Sequence, residues 1–292
     1  MFEGCLVALV TPFRSGALDL PALDRLCRTL IDAGVSGLVP CGTTGESPTL
    51  SDDEQSAVIA ATVRAAAGRV PVIAGAGTNS TDHTLHRAHA ALAAGANAVM
   101  LVNPYYSRPT QSGLFQHFSR CARDIACPIL LYNIPGRTAV ELAVDTIARL
   151  RAEHANIAAV KHATGSLDSA SELSLASDIV ILSGDDSLTL PLMSIGARGV
   201  VSVVANLLPA ETVALVAAAL AGRWADARAA HRRLFPIVRA LFVETNPIPI
   251  KTALALRGQV AEEFRLPMCP ISPANRRTLE AALQPFFAGA AR

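Results

Sequence analysis

Short apolar runs alternate with amphipathic stretches over the first three quarters of the chain. The runs at 6–10, 36–39, 70–74, 98–102, 128–132, 157–161, 179–182 and 199–203 are four to six residues long and read as buried strands. After each comes a segment of helical spacing: one opened by Pro21 with Asp19 or Leu20 near its cap, then 52–67, 81–94, 111–124, 142–150, 167–176, 187–195 and 209–221. Continuous apolar strands, each followed by a helix, predict parallel pairing with both faces of the sheet covered. Eight such units fit a closed (β/α)8 TIM barrel over residues 1–224 better than an open doubly wound sheet. Gly34, Gly68 and Gly95 stand where helix ends want a left-handed residue. Beyond Gly222, helical spacing at 224–242, 250–256 and 273–287 predicts a small C-terminal helical appendage, 225–292.

Composition narrows the possible functions. With 292 residues the chain can bury a full core without metal or disulfide staples. Its formal charge of +1 and lack of a basic run give no footprint for nucleic acid or an anionic membrane, and no apolar run reaches the roughly 18 residues of a membrane span. Six scattered cysteines without a C-x-x-C pair suit reduced thiols, and no signal-like segment precedes the first strand. A cytoplasmic protein acting on small molecules is expected.

Lysine is nearly absent: of 25 Lys plus Arg, only Lys161 and Lys251 are lysines. Where arginine supplies nearly all positive charge, a remaining lysine is a candidate for amine chemistry that a guanidinium cannot do. Lys161 ends the sixth run, and in a barrel the C-terminal strand ends carry the chemistry. The other ends bring Thr11, the Gly42-Thr-Thr-Gly45 loop, Asn79, Tyr105 and Tyr106, Tyr132, Arg137, Gly184 and Val203. All three tyrosines fall there. Phenols, with a pKa of about 10, relay protons well when hydrogen-bonded to other hydroxyls. The loop at 42–45 can offer amides and two hydroxyls to a small anion, or be only a tight turn. Arg137 can hold a carboxylate in bidentate fashion, or be a solvated loop residue. His83, His86 and His89 share a helix with no ligand set at the strand ends, so no metal is expected. Asp185-Asp186 reads as a cap of the following helix. Three classes stay open on the residues alone: an amine-based aldolase, a metal-dependent barrel enzyme, and a barrel that binds a small acid without turning it over.

At Gly42-Thr-Thr-Gly-Glu-Ser47, Pro104-Tyr-Tyr, Gln116-His-Phe118, Tyr132-Asn-Ile-Pro-Gly-Arg-Thr138, Lys161 with Ala163-Thr-Gly165, Ser183-Gly-Asp-Asp186 and Asn246-Pro-Ile-Pro-Ile-Lys251, the chain resembles the dihydrodipicolinate synthase family of pyruvate-dependent class I aldolases. The resemblance spans nearly the whole length. It implies that Lys161 forms a Schiff base with pyruvate, that Tyr132, Thr43 and a Tyr106 from a neighbouring subunit relay protons, and that Thr44 holds the pyruvate carboxylate. Arg137 would bind the carboxylate of aspartate semialdehyde, and Gly184 and Val203 complete the expected substrate-binding set. No cofactor is implied. A homo-oligomer is, at least a dimer and by the family pattern a tetramer. Arg137 and the Thr43-Thr44 pair favour the synthase over the N-acetylneuraminate lyases, with other 2-oxo acid or sugar-acid aldolases as the alternative. Two departures stand out. His162 occupies a position that is commonly acidic in the family. A lysine-binding regulatory site would draw on Ser47, Asn79 and Tyr105, but has Gln55 and His83 where strongly inhibited relatives carry histidine and glutamate, so weak or absent lysine inhibition is expected.

Overall fold

The computed structural model describes residues 1–287; the last five positions of the expected 225–292 appendage lie outside the described residues. Eight strands form one sheet: β1 Gly4–Ala8, β2 Gly37–Val39, β3 Ile73–Gly75, β4 Ala98–Val102, β5 Ile129–Asn133, β6 Ile157–His162, β7 Val180–Ser183 and β8 Gly199–Ser202. The spatial order is β2-β1-β8-β7-β6-β5-β4-β3, every pairing is parallel, and a parallel bridge between Leu38 and Val72 closes the ring. The alternation of apolar runs and helices therefore produces the closed barrel and not the open sheet. Around it lie α1 Leu20–Asp32, α2 Asp52–Ala66, α3 Thr81–Ala93, α4 Gln111–Asp124, α5 Val144–Glu153, α6 Leu167–Ala176, α7 Thr189–Ser194 and α8 Pro209–Leu220.

Local chemistry sets the helix ends. Asp19 caps α1 through the Ala22 amide, and Ser51 with Glu54 makes a full capping box on α2. Gly34, Gly68 and Gly95 have φ of 88, 74 and 96°, the left-handed turn expected of them. Two small elements escape the apolar pattern: a hairpin pairing Phe13–Arg14 with Ala17–Leu18, and a single helical turn at Pro135–Thr138.

Two apolar layers result from the strand period of two. Leu6, Val39, Ile73, Met100, Leu130, Ala159, Leu182 and Val201 fill the lumen, while Ile129, Ile157 and Val160 face the helices in the larger outer core. The register of β5 on β6 shifts in one place: Ile129 pairs with Ile157, but Leu130 pairs with Ala159, leaving Ala158 as an extra residue. This β-bulge changes the phase of the strand. Without it, a strand whose Ile157 faces outward would also turn Lys161 outward; with it, Lys161 pairs beside Tyr132 and shares its inward face.

The C-terminal helices α9 Trp224–Ala240, α10 Ile248–Leu256 and α11 Pro273–Phe287 pack together, with α9 also against α8 and the turn after β7 and α10 against the turn after β8. Arg265, between α10 and α11, donates at 2.6 Å to each carboxylate oxygen of Glu54 and also to the carbonyls of Thr49 and Gly16. Its guanidinium stacks 4.4 Å from the Phe13 ring centroid. That tie gives the hairpin its purpose in the fold: Glu263 accepts from the Ser15 and Gly16 amides at its tip.

Candidate active site

Lys161 lies at the C-terminal end of β6, 5% exposed, its Nζ 4.0 Å from the centroid of the Tyr132 ring on the neighbouring strand. Tyr132 is buried too, and together with Gly42, Thr43, Ser47, Gly75, Met100 and Val102 it lines a cavity at the top of the lumen. Gly75 is required there by close approach: a Cβ would stand 2.2 Å from the Cys41 carbonyl oxygen. Gly184 is constrained in the same way, since a Cβ would lie 2.6 Å from that of Ala163, just past the end of the lysine's strand, and its amide bonds the His162 carbonyl at 2.8 Å.

The Gly42–Ser47 loop is built of turns. Gly45 and Ser47 amides return to the Gly42 carbonyl, the Glu46 amide returns to Thr43, and Thr11 Oγ1 donates to the Gly45 carbonyl at 2.7 Å. The amides of Thr43 and Thr44 bond to no group among the described residues, so both remain available to an anion. Thr44 is buried and its hydroxyl oxygen accepts from Asn246 Nδ2 at 3.0 Å. Arg137, exposed on the turn after β5, reaches Asn246 as well, with Nη2 donating to its carbonyl oxygen at 3.4 Å. The turn carrying Arg137 is fixed by Asn133, which exchanges bonds with the Leu142 amide and carbonyl and accepts from Asn103.

The acid pair does something other than cap its own helix. Asp186 accepts from Ser202 Oγ at 2.5 Å and from the amides of Val203 and Val204 at 2.9 and 3.3 Å, so its carboxylate ties β7 to the turn after β8. Asp185 makes no side-chain cap either, because the segment after it begins as a tight 3-10 turn. Burial pushes both carboxyls above the ordinary carboxylate range, with the Lys161 cation acting in the opposite sense. Val203 gives its amide to Asp186, and its carbonyl accepts from both the amide and Nδ2 of Asn206.

His162 faces away from the lumen. It is 2% exposed, within 3.5 Å of Ser169 Oγ on α6 and 3.3 Å of Thr164 Oγ1, and burial holds it below its ordinary pKa. A neutral imidazole on the helix side of β6 brings no charge to the amine beside it. Tyr106 stands apart from the cavity, 89% exposed with φ of 73°, and Tyr105 and Asn79 are exposed as well. Of the remaining positions expected in a regulatory site, buried Gln55 donates to the Ser47 carbonyl at 3.1 Å, and His83 lies 3.2 Å from Asp52, which also accepts from Arg87 at 2.9 Å. Among the described residues no group of three or more His, Cys, Asp or Glu could hold a metal ion, and no helix is long and apolar enough to cross a membrane.

Glu46 and Asn246 were not singled out by residue type. Glu46 makes a 2.5 Å ion pair with Lys251, whose side chain is fully buried between the rings of Phe13 and Phe264. The rarity of lysine was a usable signal for this pair, since a buried ammonium needs a carboxylate and Glu46 is the acid of the threonine loop.

A parallel barrel that gathers an amine, a phenol and a hydroxyl loop at its C-terminal mouth falls in the class of barrel lyases. The comparisons with known proteins fix the branch. The chain belongs to the dihydrodipicolinate synthetase family, whose model matches residues 1–285. It is 51% identical over 285 residues to the 4-hydroxy-tetrahydrodipicolinate synthase of Thermomicrobium roseum, covering 97% of this chain and 94% of that one. The dihydrodipicolinate synthase of Aquifex aeolicus superposes with a TM-score of 0.96 at 45% identity, covering 98% of both chains. The chloride-inhibited Acinetobacter baumannii enzyme, solved in complex with pyruvate, gives 0.94 at 40% identity, covering 97% of this chain and 98% of that chain.

Proposed function

We propose that this protein is a 4-hydroxy-tetrahydrodipicolinate synthase, joining pyruvate to L-aspartate 4-semialdehyde through a Schiff base on Lys161, in the diaminopimelate route to lysine. The observation that carries the reading is the buried Lys161, its amine set over the ring of Tyr132, which lines one cavity with Gly42 and Thr43 of the loop of free amides. The Lys161 amine adds to C2 of pyruvate, and loss of water gives the imine. Loss of a C3 proton then gives an enamine, which forms the new carbon–carbon bond at the aldehyde. The semialdehyde's own amine displaces Lys161 as the ring closes. Each step moves a proton, for which Tyr132, Thr43 and Tyr106 are the carriers. Tyr106 performs this only by entering the site of a second copy, so the reading includes an oligomer, at least a dimer, with the tetramer as the family pattern. Thr44 and the two loop amides take the pyruvate carboxylate, beside Gly184 and Val203 at the ends of β7 and β8. The protein then works as a cytoplasmic enzyme without a cofactor.

The test is direct: purified protein should condense the two substrates, and borohydride with pyruvate should inactivate it irreversibly. Absence of any pyruvate adduct would sink the proposal. The alternative, another 2-oxo acid aldolase, turns on Arg137. Arg137→Ala should raise the semialdehyde KM by about 10- to 100-fold, as expected for a lost charge-assisted bond, while pyruvate binding stays within about threefold. If the variant loses nothing, or the wild type turns over a neutral aldehyde equally well, the second substrate is not the semialdehyde.

Feedback control should be weak. Gln55 is engaged with Ser47, His83 replaces a carboxylate, and Asp52 is already satisfied by Arg87. A ligand ammonium loses roughly 1–3 kcal/mol when a charged hydrogen bond is missing. Half-maximal inhibition by lysine should therefore need millimolar concentrations, and a sub-millimolar value contradicts this account.

A further inference from the structure

The Gly42–Ser47 loop follows Cys41 (φ 57°) and bends through Glu46 (φ 53°), neither of them glycine and both in the left-handed region. Residues in such conformations persist only where their surroundings over-determine them. Here the surroundings come from more than 200 residues away. Lys251 Nζ donates to Glu46 Oε1 at 2.5 Å, and Asn246 Nδ2 donates to Thr44 Oγ1 at 3.0 Å. All four residues are at most 5% exposed.

The two bonds do different work. The ion pair anchors the far end of the loop, whereas the amide bond acts on a hydroxyl facing the proposed substrate carboxylate. A hydroxyl that accepts through its oxygen keeps its own proton for a different acceptor. With the Asn246 amide on Thr44 Oγ1, and no other bond to that hydroxyl among the described residues, its proton is left for an anion resting on the Thr43 and Thr44 amides. The backbone of the same asparagine takes the Arg137 guanidinium. One residue of the C-terminal segment thus touches both groups assigned to substrate carboxylates.

We propose that Asn246 is a positioning residue for the 2-oxo acid: its side-chain amide sets the direction of the Thr44 hydroxyl so that Thr44 donates to the substrate carboxylate. The inference rests on the reading of Thr44 given above. Leucine at 246 keeps the size of the side chain but neither donates nor accepts, which frees the Thr44 hydroxyl to rotate. Aspartate, when ionised, accepts only, and so would draw the Thr44 proton toward itself.

The readout is the pyruvate concentration that gives half-maximal borohydride trapping at Lys161, measured on the full-length protein beside its thermal midpoint. Asn246→Leu should raise it about tenfold and Asn246→Asp further, with kcat at saturating pyruvate within about threefold of wild type. In a Thr44→Val background, Asn246→Leu should add less than twofold, because the hydroxyl it orients is gone. A half-saturation within twofold of wild type in Asn246→Leu overturns the proposal. So do penalties that multiply in the double variant, as a merely structural role predicts. Should the leucine variant fail to fold, Asn246→Asp is read alone, and a shift below twofold is equally fatal. Wild-type protein that forms no adduct refutes the function itself and this inference with it; an adduct in the wild type with unshifted variants refutes only the inference.

Discussion

Lys161→Ala is expected to lower turnover by about 10⁴-fold or more, the scale seen when a covalent nucleophile is removed, and to abolish the borohydride adduct with pyruvate. Lys161→Arg should be equally inactive, because a guanidinium keeps the charge and the length but cannot form an imine. Mass mapping of the wild-type adduct separates the two lysines of the chain. The Lys161 peptide should carry it. The ammonium of Lys251 is fully buried, paired with Glu46 and covered by two aromatic rings. An adduct on Lys251, or more than about 1% of activity left in Lys161→Ala, would refute the assignment of the nucleophile.

The second large effect is on stability. Lys251→Met should cost about 3–5 kcal/mol, the usual consequence of leaving one member of a buried ion pair without its partner. At roughly 2–4 °C per kcal/mol for a domain of this general size, the thermal midpoint should fall by on the order of 10 °C. Burial already holds Lys251 below its ordinary pKa, with the Glu46 carboxylate opposing the shift. Removing both charges tests the cause. Lys251→Met combined with Glu46→Gln should recover most of the lost midpoint in calorimetry, since a neutral pair carries little desolvation penalty. If the double variant melts no higher than the single one, the loss comes from packing around Phe13 and Phe264 and not from an orphaned carboxylate.

Much of this architecture was legible in the sequence, and for identifiable reasons. A buried parallel strand must be apolar on both faces and its helix apolar on one, so the eight runs and their helices could be read, and 98–102, 111–124 and 167–176 fall on the elements residue for residue. The strand ends could be inventoried for the same reason. Contacts made at long range could not. Nothing about Asn246 or Glu46 as residue types points to a threonine and a lysine about 200 positions away, and Asp186 looks like a helix cap until β8 is seen to bring the amides of Val203 and Val204 to it. The hairpin at Phe13–Leu18 is too short and too polar for a periodicity to develop. Tyr106 was legible as a residue of the mouth, yet a single chain leaves it outside its own cavity.

The extra residue Ala158 bears on how related chains are compared. Strand side chains alternate between lumen and helix layer, so the identity of a lysine on β6 says nothing of its chemistry until the residues preceding it have been counted. A relative that kept the same residues but formed β6 as a regular strand from Ile157 would align with this chain at every functional letter and present its amine to the hydrocarbon packing of the outer layer. Such a protein would be inactive through parity alone, with no substitution to mark it, and an inventory of matching site residues would misclassify it.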